Sequence, residues 1–591
     1  MASRQPVAAT LACGCLVLLA GPGRAAEPCP TEQPSEPGRR RAGEEAGPFV
    51  PTPCNPRALQ PPGTTLVDFA AYPDRWRLVS LLGYPDDVAN PWQGNNWLKG
   101  DRPAIAEDWF VSLTGISDTV VEPRRLPTPV GGPVTGDPGS LDVFGEGEQL
   151  VLAETVLMEG VLYKGNTVFM PPEWEFRIIP AFNLNYARAD EVGSLGAAAD
   201  ADTTRRDGAI GLQGLFVDRH LRDVSARYDF DSLRVGIQPF TADFRGFLFL
   251  DSPIGIRLFG TRDNNRYQYN LAWFRRLDKD TNSGLNAILD RGLPAIRDDD
   301  VVIANLYAQD TPVPGFTSQV VAAWNRNRES GDVQYDDNGF IQRPASIGIE
   351  QGRDYDVVYL GYNGDGHFRR FNLSASAYAA LGDETRSTFT AGGGDIRAFF
   401  LALEASKDFD WIRARLSALF ASGDDDPFDD EATGFDAIFE NPLFAGADTS
   451  FWIRQPVPLI GGGRVALSGR NGVLNSLRSS KEFGQSNFSN PGTVLLGIGG
   501  DFDLSPTLRV SANANELWFA DTATVEVARG QGGIDEHLGL DASIALTWRP
   551  LAIQNVVLRL SAAALLPGKG YEQLYRDDVA YSVLGNIVLT Y

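Results

Sequence analysis

The chain has 591 residues and a formal charge of −24. Such an acidic balance argues against nucleic acid as a partner, because phosphate binding needs a basic surface. Beyond the N-terminus there is no apolar run of the roughly eighteen residues that a transmembrane helix needs, which excludes a helical membrane protein. A chain that spans a membrane without helices must form a closed β-barrel.

The N-terminal stretch predicts a protein that is secreted across the inner membrane. Residues 1–26 have the order of a signal peptide: Arg4, then the short apolar core Val7–Ala20, then the small residues of Gly23–Ala26. We expect this segment to be removed during export.

Residues 27–64 are rich in Pro, Glu, Arg and Gly, and we predict a disordered linker with too little apolar content to pack. This linker holds Cys29 and Cys54, the two cysteines that follow the signal peptide. In an oxidising periplasm these cysteines are expected to form a structural disulfide, the alternative being two exposed thiols.

Residues 65–106 regain apolar side chains, and Trp76–Leu82 has the spacing of a short amphipathic helix. Two interpretations remain open for this part of the chain. It is either a periplasmic segment at the mouth of a barrel or a partial plug of it.

From residue 107 to residue 591 the chain alternates between apolar and polar side chains. In one clear case Trp174, Phe176 and Ile178 share one face of a predicted strand, while Arg177 and Asn183 lie on the other. Lysine is nearly absent from these strands, which is typical of a crowded lumen rather than of a solvated surface. The pattern predicts an all-β fold, an antiparallel transmembrane barrel of about 18 strands, within a range of 16 to 20.

The final stretch, Val579–Tyr591, carries the same period-two pattern with aromatic residues near both ends. Its last residue, Tyr591, lies on the apolar face and resembles the C-terminal signature by which bacterial outer-membrane barrels are recognised for insertion. An edge strand of a soluble sandwich is the alternative for this stretch taken alone.

The connections support a barrel, because short turns alternate with longer loops as in outer-membrane barrels. Among the short turns we predict Asp231–Ser232 and Asn363–Gly366, and among the long loops 277–300 and 422–492. This alternation places the end of the last strand on the periplasmic side.

Arginine is the residue that carries the functional prediction. Guanidinium groups along a pore concentrate anions and bind carboxylate or phosphate through two hydrogen bonds. The alternative is that they pair with lumen carboxylates such as Asp229, Glu404, Asp501 and Asp541 and only hold the wall together. The arginines predicted to line the pore are Arg177, Arg234, Arg257, Arg266, Arg370, Arg397, Arg413, Arg415, Arg509 and Arg559.

Two loop features are open to more than one interpretation. The acidic stretches Asp298–Asp300 and Gly423–Glu431 are predicted in outer loops, where they bind a divalent cation and bridge to lipopolysaccharide, or are simply solvated. Loop 422–492 is long and rich in aromatic residues, so it either folds into the barrel and constricts it or docks a partner outside.

We expect no enzyme, no cofactor and no metal centre. The three histidines are His220, His367 and His537, and no nucleophile is marked beside any of them. An enzyme on the barrel rim, built on His537 with Asp535, is therefore a minor alternative. The sequence has no phosphate-binding loop, zinc spacing, dinucleotide fingerprint or haem-attachment motif.

The barrel region resembles the alginate-export type of outer-membrane porin. The residues that carry the resemblance are Asp231–Leu248, Asn264–Asn286 and Asn515–Thr522. The resemblance implies an arginine-lined barrel of about 18 strands that passes an anionic polysaccharide, with the arginines above along its route.

We therefore expect a channel in the outer membrane of a Gram-negative bacterium, in contact with outer-membrane lipid and lipopolysaccharide. It would pass a polar, anionic solute or polysaccharide without an energy source of its own. The alternative is a barrel sheath around a partner protein, such as a periplasmic multihaem cytochrome in an electron conduit.

Overall fold

In the computed structural model, 18 antiparallel strands form one closed barrel. Each strand is hydrogen-bonded to the next in chain order, and the first strand pairs with both the second and the last. The fold predicted from the sequence is thus confirmed. The strands are β1 (Trp109–Arg125), β2 (Glu148–Lys164), β3 (Trp174–Ala189), β4 (Thr204–Asp223), β5 (Phe230–Ile237), β6 (Ile254–Arg262), β7 (Tyr267–Leu277), β8 (Ile296–Ala308), β9 (Phe316–Arg328), β10 (Asp354–Phe368), β11 (Phe371–Glu384), β12 (Gly394–Phe409), β13 (Ile412–Ala421), β14 (Thr493–Ser505), β15 (Leu508–Trp518), β16 (His537–Trp548), β17 (Val556–Pro567) and β18 (Ala580–Thr590).

The chain divides into two compact units, residues 1–38 with 45–70, and residues 39–44 with 71–591. All described residues belong to the second unit. The structure describes residues 82–83, 88, 96–106, 108–127, 147–165, 171–227, 229–287, 295–455, 457, 459, 471–551, 554–575 and 578–591.

Four sequence predictions fall wholly or mainly outside the described residues. These are the signal peptide at 1–26, the linker at 27–64, the Cys29–Cys54 disulfide and the helix at Trp76–Leu82. All four stay predictions.

The outer wall is apolar because of the side-chain alternation along each strand. In β12, Phe399, Leu401 and Leu403 are 54%, 55% and 48% exposed, whereas Phe400 between them is buried. Apolar side chains on the outside of a closed barrel match hydrocarbon, not water. The protein accordingly resides in the outer membrane of a Gram-negative bacterium.

Among the described residues, no helix has the length and apolar character to cross a membrane.

Turns at one end of the barrel are short, and loops at the other end are long. The turn between β6 and β7 is made by Asp263, Asn264 and Asn265, all with positive φ near 60°, and Asp410 with φ 59° turns β12 into β13. Asp and Asn tolerate this left-handed backbone better than most residues. Because short turns face the periplasm in such barrels, the long loops are extracellular.

Three predicted connections are wrong, since the residues lie in strands. Asp231–Ser232 is in β5, which begins at Phe230. Asn363–Gly366 is in β10, where Gly364 makes room for the Phe316 ring: an added Cβ would lie 2.5 Å from it. Asp298–Asp300 begins β8, and ion pairs with the arginines of β7 hold these carboxylates in the wall.

Two extracellular loops fold back into the lumen and form the largest buried cluster. Loop 238–253 contributes a small hairpin, Phe240–Thr241 with Leu250–Asp251, and Phe247 and Phe249 are buried. Loop 422–492 contributes the helical turn α1 (Phe451–Arg454). Both loops belong to one buried cluster with inward apolar side chains of β7 to β18.

Short strand pairings and helices also lie at the extracellular end of the barrel. Gln334–Tyr335 pairs with Ile341–Arg343, and Glu431–Ala432 pairs in parallel with the start of β12. Among the described residues, two further helices are α2 (Ala523–Arg529), which ends at a left-handed Gly530, and α3 (Lys569–Leu574).

Candidate functional site: the barrel lumen

Three arginines predicted to line the pore lie close together on the inner face of β3, β5 and β6. Arg234 and Arg257 are cross-strand partners, and Phe216 of β4 is the partner of Arg177. Their strand neighbours Val235 and Ile256 are 46% and 43% exposed on the outer face, so the arginines point inward. Together they form a basic row along one side of the lumen.

Most of this row is balanced by carboxylates. Arg177 pairs with Glu159 of β2 and, at 2.8 Å, with Glu175. Arg234 pairs with Asp218 at 2.8 Å. Paired charges of this kind position the guanidinium groups but offer little net charge to a passing solute.

Arg257 differs from its neighbours in the kind of acceptor that it meets. Its Nε donates to the amide oxygen of Asn270 at 2.7 Å. Its guanidinium also lies over two rings, 4.5 Å from the centroid of Phe259 and 5.2 Å from that of Phe240. An amide and two rings, rather than a carboxylate in direct contact, hold this side chain in place.

Other arginines predicted to line the pore face inward on the opposite side and near the periplasmic rim. Arg413 and Asp408 are 2.7 Å apart, as are Arg509 and Asp503. Arg415 bonds Asn513 and lies 3.8 Å from the carboxylates of Glu404 and Asp501.

Arg559 ties the wall to the lumen loop. Its guanidinium is 2.8 Å from Asp448, which belongs to loop 422–492. The contact places a charged pair where β17 meets the loop that occupies the lumen.

Three of the predicted arginines lie elsewhere. Arg397 is on the outer face: its side chain is 54% exposed and pairs with Asp395 and Glu431. The adjacent rings of Phe399 and Phe400 fit either face, and the sequence alone suggested the wrong one. Arg266 and Arg370 lie in the periplasmic turns after β6 and β10, not along the lumen wall.

The sequence prediction missed Arg245, which reaches the inner face of β10, β11 and β12 from loop 238–253. Its Nε donates to Ser374 at 2.8 Å, and its Nη2 lies 3.4 Å from Asp365 and 3.5 Å from Glu404. Loop 238–253 carries Phe240, Phe244, Phe247 and Phe249. Its run of phenylalanines was the signal that it is buried, because an exposed loop rarely carries so many rings.

Loop 422–492 is anchored to the wall by a carboxylate that caps α1. Asp541 of β16, wholly buried, accepts hydrogen bonds from the Ser450 hydroxyl, from Phe451 N at 3.0 Å and from Trp452 N at 2.9 Å. These amides would otherwise lack partners at a helix start. The cap therefore fixes where the loop sits in the lumen.

A second anchor lies on the far side of α1. Glu122 of β1 accepts from Arg454 at 2.6 Å and from Gln455 at 2.8 Å. The two anchors together answer the question that the sequence left open, because loop 422–492 folds into the barrel.

The root of this loop carries an acid with a strongly altered pKa. Burial raises the pKa of Asp424 to about 7, and nearby Asp425 and Asp429 act in the same direction, while hydrogen bonds from Thr433 oppose it. Asp424 is 1% exposed. We therefore expect the position of the loop root to depend on pH.

The histidines do not form a site with a nucleophile among the contacts described. His537 lies 2.5 Å from Glu516 and its backbone N–H donates to Asp535, while His220 contacts Asp223 at 3.0 Å. Within the part of the chain that the structure describes, no group of three or more His, Cys, Asp or Glu side chains has the geometry to hold a metal ion.

Fold and lumen together define an outer-membrane β-barrel of the porin type, with an apolar exterior, a polar interior and inward-folded loops. No family model and no curated protein matches the chain.

Comparison with solved structures finds barrels of low sequence identity. OccK7 (OpdD) of Pseudomonas aeruginosa is 9% identical, with a TM-score of 0.43, over 82% of this chain and 99% of that chain. OccAB2 of Acinetobacter baumannii is 11% identical, with a TM-score of 0.43, over 81% and 98%.

OpdK of Pseudomonas aeruginosa, solved with vanillate, is 10% identical, with a TM-score of 0.40, over 81% and 98%. These likenesses do not support alginate export in particular, and they say nothing about the solute of this chain.

Proposed function

We propose that the protein is a passive outer-membrane channel for polar solutes that prefers anions. The observation that carries the proposal is Arg257, an inward-facing guanidinium held by an amide and two aromatic rings. A fixed positive group in a confined pore raises the local concentration of anions.

The proposed route passes the inward-facing arginines whose side chains stay partly accessible. The side chains of Arg177, Arg413, Arg509 and Arg559 keep 31%, 33%, 37% and 30% of their surface accessible. All four lie among the first residues of strands that start at the periplasmic end, so a solute would meet these guanidinium groups at that end of the lumen.

The finer proposal is that the anion is a carboxylated sugar or an oligosaccharide of such sugars, as the resemblance to alginate-export porins implies. A guanidinium binds a carboxylate through two parallel hydrogen bonds, and paired acids such as Asp218 and Asp408 keep each site weak enough to release its ligand. Conduction requires this balance between entry and release.

The sheath alternative draws no support from the lumen. A barrel that encloses a partner protein needs a wide bore, and here loops 238–253 and 422–492 occupy much of it. No observation favours the rim enzyme either, since the described contacts of His537 are to two carboxylates.

The test is liposome swelling with solutes matched in size. We expect glucuronate to enter faster than glucose at equal osmolarity, and short oligomers of uronic acids to enter measurably. Equal rates for the two monosaccharides would overturn the anion preference, and no swelling with either would overturn the channel.

A further inference from the structure

The seam where the barrel closes is incomplete at its periplasmic end. β1 pairs with β18 from Ile116 to Arg125. The last backbone hydrogen bonds of the seam run from Gly115 N to the carbonyl of Tyr591 at 3.1 Å and from Tyr591 N to the carbonyl of Gly115 at 2.8 Å. On its other side, β1 pairs with β2 as far as Trp109. The first six residues of β1 therefore extend past β18 on the seam side.

A strand edge of this kind is a weak point in a membrane wall. Unpaired backbone groups are costly near hydrocarbon, and they also template pairing with another chain. Closed barrels normally have no such edges, so we expect another part of the chain to cover this one.

Residues 96–101, which precede β1, occupy the missing position. The Leu113 amide donates to the carbonyl of Leu98 at 2.7 Å, and Lys99 forms an antiparallel bridge with Ser112. The Lys99 ammonium also donates to the carbonyl of Leu113 at 2.6 Å. These contacts continue the hydrogen-bonding pattern of β18 along β1.

The same segment holds the end of β18. Asn96 donates to the hydroxyl of Tyr591 at 3.1 Å, and the Lys99 ammonium lies 3.9 Å from the centroid of the Tyr591 ring. The Tyr591 hydroxyl in turn donates to the carbonyl of Val88 at 2.5 Å. One short segment thus contacts both strands of the seam.

Asn96 also gives the segment its shape. It is 1% exposed, its backbone N–H donates to Asp101 at 3.0 Å, and its side-chain oxygen accepts from Leu98 N at 2.9 Å. A buried asparagine with all these partners is costly to replace, because each lost contact leaves a polar group unsatisfied.

We propose that residues 96–101 are a clasp that keeps the periplasmic end of the β1–β18 seam closed. The clasp is part of the wall, not of a plug. Without it the seam opens locally while the rest of the barrel stays intact, and the bare edge of β1 becomes available to other strands.

The experiment is hydrogen–deuterium exchange, read by mass spectrometry on the full chain in lipid nanodiscs. The variant is Asn96→Ala combined with Lys99→Met, and the matched control is Lys569→Met, an exposed lysine at the extracellular end. We expect the amides of Leu113 and Gly115 to exchange about tenfold faster in the variant, with β9 and β10 unchanged and the control like wild type.

A second arm tests the clasp in the opposite direction and does not depend on the first variant folding. In a chain with Cys29→Ser and Cys54→Ser, the pair Lys99→Cys and Ser112→Cys is oxidised to a disulfide across the bridge. We expect slower exchange at Gly115 and higher resistance to heat in detergent. Unchanged exchange in both arms, or failure of the cysteine pair to cross-link, would overturn the clasp.

Discussion

Arg234 and Arg257 face each other across β5 and β6, yet they meet different acceptors. Arg234 lies 2.8 Å from the carboxylate of Asp218, whereas Arg257 donates to the amide oxygen of Asn270. A carboxylate neutralises the guanidinium that it holds, and an amide does not. Of this pair, we therefore expect Arg257 to contribute more to an anion preference than Arg234.

Replacing Arg257 is expected to remove a large part of the anion preference. In Arg257→Gln the swelling rate for glucuronate relative to glucose should fall about three- to tenfold, because a fixed positive group is lost from a confined pore. Arg397→Gln removes the same charge from the outer wall and should leave the ratio unchanged. A larger effect of the control would contradict the assignment of the path.

Removing the cap of α1 is expected to loosen loop 422–492. Asp541→Asn keeps the size of the side chain but weakens its bonds to Phe451 N and Trp452 N, which should cost about 1 kcal/mol or more. The expected result is frequent switching between conductance levels in single-channel records. Asp535→Asn, an acid in an extracellular loop, serves as the control, and equally quiet records from both variants would refute the anchor.

The position of the same loop is expected to depend on pH through Asp424. An exposed aspartate has a pKa near 3.8, and with the loop in place burial raises the pKa of Asp424 to about 7. The protonated form thus favours the folded-in loop, and this stabilisation is lost as the pH rises from about 4 to 7, with no further change above.

Limited proteolysis of loop 422–492 measures this dependence. Cleavage should be up to about a hundredfold faster at pH 8 than at pH 5 in the wild-type protein, since the loop equilibrium changes by a factor of ten for each of the two pH units between 5 and 7. In Asp424→Asn the two rates should be equal once the protease's own pH dependence is corrected with an unfolded substrate. A pH effect that persists in this variant would assign it to another group.

A buried ion cluster beside β8 is expected to contribute to the stability of the barrel. Glu329 lies 2.7 Å from Arg297 and 2.6 Å from Arg343, and it is fully buried. Burial alone would raise the pKa of Glu329, but the two guanidinium groups outweigh it and lower the pKa to about 2.

Glu329→Gln leaves two buried arginines short of a counter-charge and should lower the free energy of unfolding by about 3–5 kcal/mol. In the wild-type protein the contribution is present above about pH 4.5 and is lost as the pH falls through 2. Urea unfolding in detergent, followed by tryptophan fluorescence, measures both effects. A variant as stable as the wild type would show that the cluster is dispensable.

The barrel could be predicted from the sequence because the evidence is local. Alternation between faces repeats in most strands, and together with the order of short turns and long loops it predicted about 18 strands within a range of 16 to 20. The inward direction of Arg177, Arg234 and Arg257 followed from the same periodicity, because each sits between apolar neighbours.

The errors arose where local patterns are ambiguous. Gly364 looks like part of a turn, yet it serves as a gap for the Phe316 ring inside β10. Because Phe399 and Phe400 are both apolar, the alternation allowed Arg397 to face either the lumen or the membrane. The bond between Ser450 and Asp541 joins residues 91 apart in the chain, and no spacing in the sequence reveals it.

The most direct test of the arginine path is the reversal potential of single channels in a planar bilayer with a tenfold gradient of potassium chloride. We predict a reversal potential of the sign that chloride selectivity gives, with a smaller value in Arg257→Gln. A potential of the sign that potassium selectivity gives would contradict it.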